Sequence, residues 1–162
     1  WVHSVDGGQL AAVSDPKDDA NFLLHQKAED GNGKLDRGLG PHLGVPKDFA
    51  DWHWATQLNQ ARAVTYAIEH YRRWWPRTAG AIVWQLNDCW PVTSWAAIDF
   101  EERPKPLWYA LRRAFAPRNV VFAAANGLVS VVLIVTAKSE PARARVLRLP
   151  MRVREAALQR AA

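Results

Sequence analysis

Gly80-Ala81-Ile82-Val83-Trp84-Gln85-Leu86-Asn87-Asp88 is the stretch that decides the fold. From Gly80 to Leu86 the run is short, nearly all apolar and carries two β-branched side chains, and Asn87 and Asp88 stop it. A strand buried on both faces, as in a parallel sheet, needs such a run. Upstream, residues 51–73 place apolar or aromatic side chains at 54, 58, 61, 64, 68 and 71, the spacing of one helical face. Asp51 is the expected N-cap, Glu69 and Arg73 form an i,i+4 pair, and Pro76 ends the run. Downstream, a polar and aromatic loop over 87–104 leads into Pro106–Phe115. That segment reads as a helix with proline at its first position and Leu107, Leu111, Ala114 and Phe115 on its apolar face. Helix, strand, loop, helix is one and a half α/β units. In parallel α/β folds the working residues sit at the C-terminal ends of strands and in the loops that follow, the place held here by 84–99.

The flanks differ. Residues 1–50 are polar with Gly-rich and Asp-rich stretches, and read as extended loop with one ordered piece near 22–28. Gly31-Asn32-Gly33 reads as a turn rather than a phosphate cradle. From Pro117 the period changes to that of strands. Val120–Ala125 and Leu128–Thr136 bracket Asn126-Gly127, the signal of a two-residue type I′ hairpin. A third strand is expected within 142–153, and 154–162 has helix-prone composition. Three strands are too few for a sandwich, so the chain is expected to be cut at both ends, starting mid-protein at Trp1.

Composition removes several function classes. The chain has 162 residues and a net charge of +5. Residues 1–137 hold 14 basic and 14 acidic side chains, so the whole excess lies in 138–162. A neutral body with a basic tail argues against nucleic acid as partner. Arginines 143, 145, 148, 152 and 154 fit one exposed face of a strand. No run of 18 apolar residues exists, which argues against a membrane span. Cys89 is the single cysteine, so no internal disulfide is possible; a lone thiol fits a reducing compartment such as the cytoplasm. The histidines at 3, 25, 42, 53 and 70 make no metal-binding spacing, and neither a nucleophile elbow nor a phosphate loop occurs, so no metal or cofactor is expected. Nine tryptophans, all at or before 108, are more than a core needs, and indoles also line sugar sites. Asp88 and Asp99 are the carboxylates with site placement; as plain structure they would cap turns. On strand logic Trp84 belongs in the core. Trp90 and Trp95 flank the loop, there to stack on sugar rings or to pin it. His25 and Gln26 follow the apolar run Phe22-Leu23-Leu24, at a strand end or on plain surface.

Six ordered motifs then carry a family likeness. They are His25-Gln26-Lys27-Ala28-Glu29-Asp30-Gly31-Asn32, Trp54-Ala55-Thr56-Gln57-Leu58-Asn59-Gln60-Ala61-Arg62, Glu69-His70-Tyr71-Arg72, Val83-Trp84-Gln85-Leu86-Asn87-Asp88-Cys89-Trp90-Pro91, Ser94-Trp95-Ala96-Ala97-Ile98-Asp99 and Lys105-Pro106-Leu107-Trp108-Tyr109. Over about residues 20–117 the chain resembles the late part of the catalytic domain of β-mannosidases in glycoside hydrolase family 2. The resemblance implies an α/β fold: the last part of a (β/α)8 barrel in 1–117, followed in 118–162 by the first strands of an immunoglobulin-like β-sandwich. Residues 51–75 would be the seventh barrel helix, 80–86 the eighth strand and 106–115 the eighth helix. It implies a retaining exo-glycosidase acting on terminal β-D-mannose with two glutamates and no cofactor. Both glutamate motifs are absent from this sequence. Glu29, Glu69, Glu101 and Glu102 sit in other contexts, so no catalytic residue is assigned, and the chain alone is expected to be inactive without the N-terminal part of the same protein. What the resemblance leaves is a substrate-binding wall for a β-mannoside oligosaccharide. Trp84 lies under the sugar, reversing the core reading. Asn87 and Asp88 lie at the rim, Trp90 and Trp95 shape the leaving-group side, and His25 and Gln26 approach from the preceding loop. The competing expectations are a non-catalytic carbohydrate-binding module and a sister activity on β-galactosides, β-glucuronides or glucosamine polymers.

Overall fold

The computed structural model describes residues 16–125, 128–135 and 147–152. The chain divides into two compact units, Trp1–Thr65 with Ile82–Leu111, and Tyr66–Ala81 with Arg112–Ala162.

In the first unit, the region expected as extended loop is largely helical. A 3-10 turn at Pro16–Asp18 leads into α1 (Ala20–Leu24) and then α2 (Gly31–Leu43). Asp19 caps α1, its Oδ1 accepting from the N–H groups of Asn21 and Phe22 at 2.9 Å each. Gly31-Asn32-Gly33, expected as a turn, opens α2 instead. A helix with four glycines and an internal proline has low intrinsic propensity. Tertiary contacts override it. Leu35 and Leu39, one helical turn apart, pack against Phe22 and Trp52, and the Trp52 indole N–H donates to Asp36 Oδ1 at 2.5 Å. Gly31 is required by close approach, since a Cβ there would stand 2.4 Å from the Gln26 side chain.

Helix α3 runs Phe49–Arg73, two residues earlier than expected. Its cap is Asp48 and not Asp51: Asp48 Oδ1 accepts from Ala50 N at 2.8 Å and Asp51 N at 3.1 Å. The buried positions are Trp52, Thr56, Ala61, Thr65 and Ile68. Of the expected stripe at 54, 58, 61, 64, 68 and 71, Ala61 and Ile68 are buried, whereas Trp54, Leu58 and Tyr71 are exposed. Helix α4 (Pro106–Ala114) buries Leu107, Leu111 and Ala114 as expected, with Phe115 outside the helix and half exposed.

The decisive run behaves differently from the expectation. Residues 80–86 form no strand ladder among the described residues. Ile82 is 96% exposed and Trp84 74% exposed, so the segment is not buried on both faces. A strand is defined by its neighbours. The pairing this segment does have lies at its end: the Asn87–Ile98 bridge is parallel, and Ile98 also bridges Pro104 antiparallel.

In the second unit, Arg72 in the last turn of α3 donates to the carbonyls of Ala114 and Ala116. An antiparallel sheet follows, β1 (Arg118–Ala125), β2 (Leu128–Val135) and β3 (Leu147–Arg152), in the order β1-β2-β3. The expected hairpin is present, with Ala125 opposite Leu128 as a two-residue connection requires. The conformation of Asn126-Gly127, the tail arginines 143, 145 and 154, and the helix-prone 154–162 lie outside the described residues. The third strand falls within the expected 142–153.

Leu39→Ala, at a fully buried position, should lower stability by about 2–5 kcal/mol. Asp48→Ala should cost about 1 kcal/mol through the lost cap. Leu24→Ala, 76% exposed, should stay within about 0.5 kcal/mol of the parent. Urea unfolding followed by circular dichroism measures all three.

Candidate functional site

The loop that follows the extended run is organised around one buried carboxylate. Asp88 is 4% exposed. A bare charge at that depth would be very costly, so it must be neutralised. The Lys105 ammonium, itself buried one residue before α4, lies 3.2 Å from Asp88 Oδ2. The Ser94 hydroxyl donates to the same carboxylate, 2.7 and 2.6 Å from its two oxygens, and accepts from Ala96 N at 3.1 Å. Backbone bonds finish the knot: Asp88 N to Ile98 O at 3.0 Å, Ile98 N to Leu86 O at 2.9 Å, and Lys105 N to Ala97 O at 2.9 Å. Burial pulls the Lys105 ammonium below the ordinary lysine range, opposed by Asp88 and Asp99.

Asp99 ties the other half of the loop. It accepts from the N–H groups of Glu101 and Arg103 at 2.9 Å each and pairs with Arg103 Nε at 2.7 Å. Burial pushes its carboxyl up, the bonds from Arg103 and Glu101 pull it down, and the net direction is down. Both aspartates are therefore engaged in holding the loop.

His25 and Gln26 join this loop through the backbone. Gln26 bridges Thr93 in parallel, with Thr93 N to His25 O at 2.8 Å and Lys27 N to Thr93 O at 3.1 Å. The His25 ring lies 2.5 Å from Pro91 O through Nδ1 and 5.5 Å from the Trp90 ring centre. Gln26 Nε2 donates to Asn32 Oδ1 at 2.7 Å. So the expected pair is neither strand end nor plain surface; it is the second rail that holds the loop. The Asn87 side chain turns back to Asp88 O at 3.3 Å.

Trp84, in the run before this loop, and Trp90 and Trp95, on it, are all exposed, at 74%, 44% and 37%. The core reading of Trp84 is thereby overturned. Beside Trp95 opens a cavity of about 460 Å³. Phe22, Leu35 and Trp52 give it an apolar floor, and Gln26, His53, Gln57, Gln60 and Thr93 bring polar groups. An apolar cleft with a few convergent polar groups is the usual form of a small-molecule site. Gln60 Nε2 donates to Trp95 O at 2.7 Å, fixing the indole's backbone at the rim. Thr93 Oγ1 is buried without a hydrogen-bond partner. Burial and the nearby Lys105 charge lower His53 to about 4, so it is neutral near pH 7.

Of the expected site residues, Gln26 and Trp95 line this cavity; Trp84, Asn87, Asp88, Trp90 and His25 do not. Lys105 and Ser94, both in recognised motifs, escaped assignment because burial of a lysine leaves no mark on local periodicity. His53, Gln57 and Gln60 were hidden as ordinary helix positions. Among the described residues no group of three or more His, Cys, Asp or Glu is placed to hold a metal ion.

Lys105→Met should cost about 3–5 kcal/mol by stranding the Asp88 charge, and Asp88→Asn in the same chain should recover much of it. A double-mutant cycle in urea reads the coupling. His53 titrates near 6.5 when unfolded and about 4 when folded, so between those values the unfolded chain binds more protons. Stability should fall as pH drops from 6.5 towards 4, and His53→Gln should flatten that slope in urea midpoints taken across the window.

No family model matches the chain. In sequence it is 36% identical over 97 residues to β-mannosidase B of Aspergillus niger and, to the same extent, of Emericella nidulans. The aligned stretch is 58% of this chain and 12% of each relative, so the chain spans about an eighth of their length. In structure it matches the β-D-mannosidase of Dictyoglomus thermophilum with a TM-score of 0.71 at 25% identity, over 91% of this chain and 21% of that one. It also shares its fold with the exo-chitosanase of Amycolatopsis orientalis, TM-score 0.58 at 19% identity, over 78% of this chain and 18% of that one. In sequence and in fold, then, this chain is similar to a part of the β-mannosidases of glycoside hydrolase family 2.

Proposed function

We propose that this chain is the last part of the barrel of a retaining exo-β-mannosidase, with 1–117 in the barrel and 118–162 beginning a β-sandwich domain. It supplies part of the wall that binds a terminal β-D-mannose. The observation that carries the reading is the set of exposed indoles, Trp84 just before and Trp90 and Trp95 on a loop locked by the buried Asp88–Lys105 pair. Large exposed aromatics on a rigid support suit the apolar face of a sugar ring. The similarity to β-mannosidases over the same motifs supports mannose as the sugar.

In this reading the chain does no proton chemistry. One glutamate attacks the anomeric carbon, and another protonates the leaving oxygen and then activates water. Both come from the preceding part of the same protein, since neither motif occurs in these residues. Trp84 is the platform under the sugar, Asn87 is a rim partner for its hydroxyls, and Trp90 and Trp95 flank the leaving group. Asp88, fully engaged, positions the loop and does not touch the sugar. The structural likeness to an exo-chitosanase keeps a sister activity on glucosamine units as the second reading.

The isolated chain should not hydrolyse p-nitrophenyl β-D-mannoside. β-1,4-mannobiose at millimolar concentration should quench its tryptophan fluorescence, and Trp84→Ala should weaken that response about tenfold. Turnover by the isolated chain would place a carboxylate pair within it and overturn the reading, and so would a titration unchanged by Trp84→Ala.

A further inference from the structure

Trp95 carries its indole on a backbone held by Gln60, whose Nε2 donates to Trp95 O at 2.7 Å. That bond fixes the main chain and leaves the side-chain torsions of the indole to be set by what the ring touches. Over the ring stands the Lys27 ammonium, 5.2 Å from the ring centre. A cation in that place is attracted by the negative face of the indole. An exposed lysine is otherwise a long stem with many rotamers. Here both of its ends are tied. At the base, Lys27 N donates to Thr93 O at 3.1 Å, in the rail that joins 25–27 to the loop just before Trp95. At the tip, Lys27 Nζ donates to Gln85 Oε1 at 3.2 Å. The Gln85 amide is itself oriented, its Nε2 donating to Asn87 O at 2.8 Å. A chain of contacts thus runs from the backbone beside Asp88, through Gln85 and Lys27, to the Trp95 ring.

We propose that Lys27 is a positioning residue of the sugar wall: held by Gln85, its ammonium fixes the orientation of the Trp95 indole on the leaving-group side. The inference rests on the sugar-wall reading above and adds the group that sets one of its platforms. Lys27 acts through Trp95 and not on the sugar. A ring already held in one orientation gives up little rotamer freedom when a ligand stacks on it, which is the gain from preorganisation. An exposed cation–π contact corresponds to a change of about two- to fivefold in affinity. The gain falls on ligands long enough to reach Trp95, so a disaccharide feels it and a monosaccharide does not. Lys27→Arg keeps a cation, a hydrogen-bond donor and a group that stacks on indoles, and so keeps the role.

The test uses the 162-residue chain labelled with fluorotryptophan, so that fluorine resonances report the surroundings of each indole. Trp95→Phe identifies the resonance of Trp95. Lys27→Ala and Gln85→Ala should each move that resonance towards its position in urea, whereas Lys27→Arg should hold it near the parent's. Far-UV circular dichroism confirms that the variants fold. Calorimetry should show β-1,4-mannobiose bound about two- to fivefold more weakly by Lys27→Ala, with the loss recovered in Lys27→Arg. Methyl β-D-mannoside should bind Lys27→Ala as it binds the parent. In a Trp95→Ala background, Lys27→Ala should have no further effect on mannobiose. A Trp95 resonance unmoved by Lys27→Ala overturns the positioning role and leaves the sugar wall standing. So does an affinity loss that persists in the Trp95→Ala background, since Lys27 would then contact the sugar itself. Failure of the parent to bind either sugar overturns the sugar-wall reading, and the role of Lys27 in it, even where the resonance moves.

Discussion

The buried charge of Asp88 sets the terms for everything around it. A carboxylate at that depth is tolerated only with a cation and hydrogen bonds in place. The cation comes from Lys105, and the hydroxyl from Ser94 in mid-loop. One carboxylate therefore ties three places in the chain: the end of the 80–86 run, the turn at 94–97 and the start of α4. The loop is long and has little regular structure, yet its backbone bonds to Leu86, Ile98 and Ala97 give it a fixed course. That rigidity makes the placement of three indoles meaningful. Aromatics on a mobile loop would lose the advantage of preorganisation on binding.

A second constraint acts from the other side. Gln26 and Thr93 pair as two short parallel rails, and Gly31 leaves room for the Gln26 side chain. The turn into α2 and the loop after Asp88 are thus braced against each other. Helix α3 adds a third support through Gln60 to the Trp95 carbonyl. The cavity is the space these three elements leave between them. Its floor, Phe22 and Trp52, belongs to the same cluster that anchors α2 through Leu39. Site and core share side chains here, so a change in the floor acts on stability and on the shape of the cavity together.

How much was legible in the sequence follows from the range of each interaction. The long helix, the second helix with its Pro106 start and the Asn-Gly hairpin are local in origin, and their positions came out within a few residues. Asp51 is not the cap because the helix begins earlier: Asp48 accepts from the N–H groups of Ala50 and Asp51, which leaves Asp51 inside the first turn. Helix α2 was illegible since its glycines and Pro41 argue for a loop, and only Leu35 and Leu39 meeting Phe22 and Trp52 decide otherwise. The 80–86 run, expected as a strand buried on both faces, forms no ladder among the described residues and is exposed at Ile82, Trp84 and Leu86. Apolar composition tells what a segment can pair with, not whether a neighbour is there. In the site, Trp95 and Gln26 were legible through their motifs, whereas Lys105 and His53 depend on burial that only the fold reveals.

The exposed side chains of the 80–86 run and the aromatics of the loop then make one argument. Ile82 and Leu86 stand in water on a segment whose composition suits a central strand. Exposure of that kind costs about 1.5–3 kcal/mol for each large apolar side chain left uncovered. A strand with open edges on both sides also offers unpaired backbone donors and acceptors to any neighbour. Both costs vanish if further parallel strands lie alongside, which is the arrangement the proposed barrel supplies. Trp84 lies between Ile82 and Leu86 at a spacing of two, so in an extended segment the three side chains share one face.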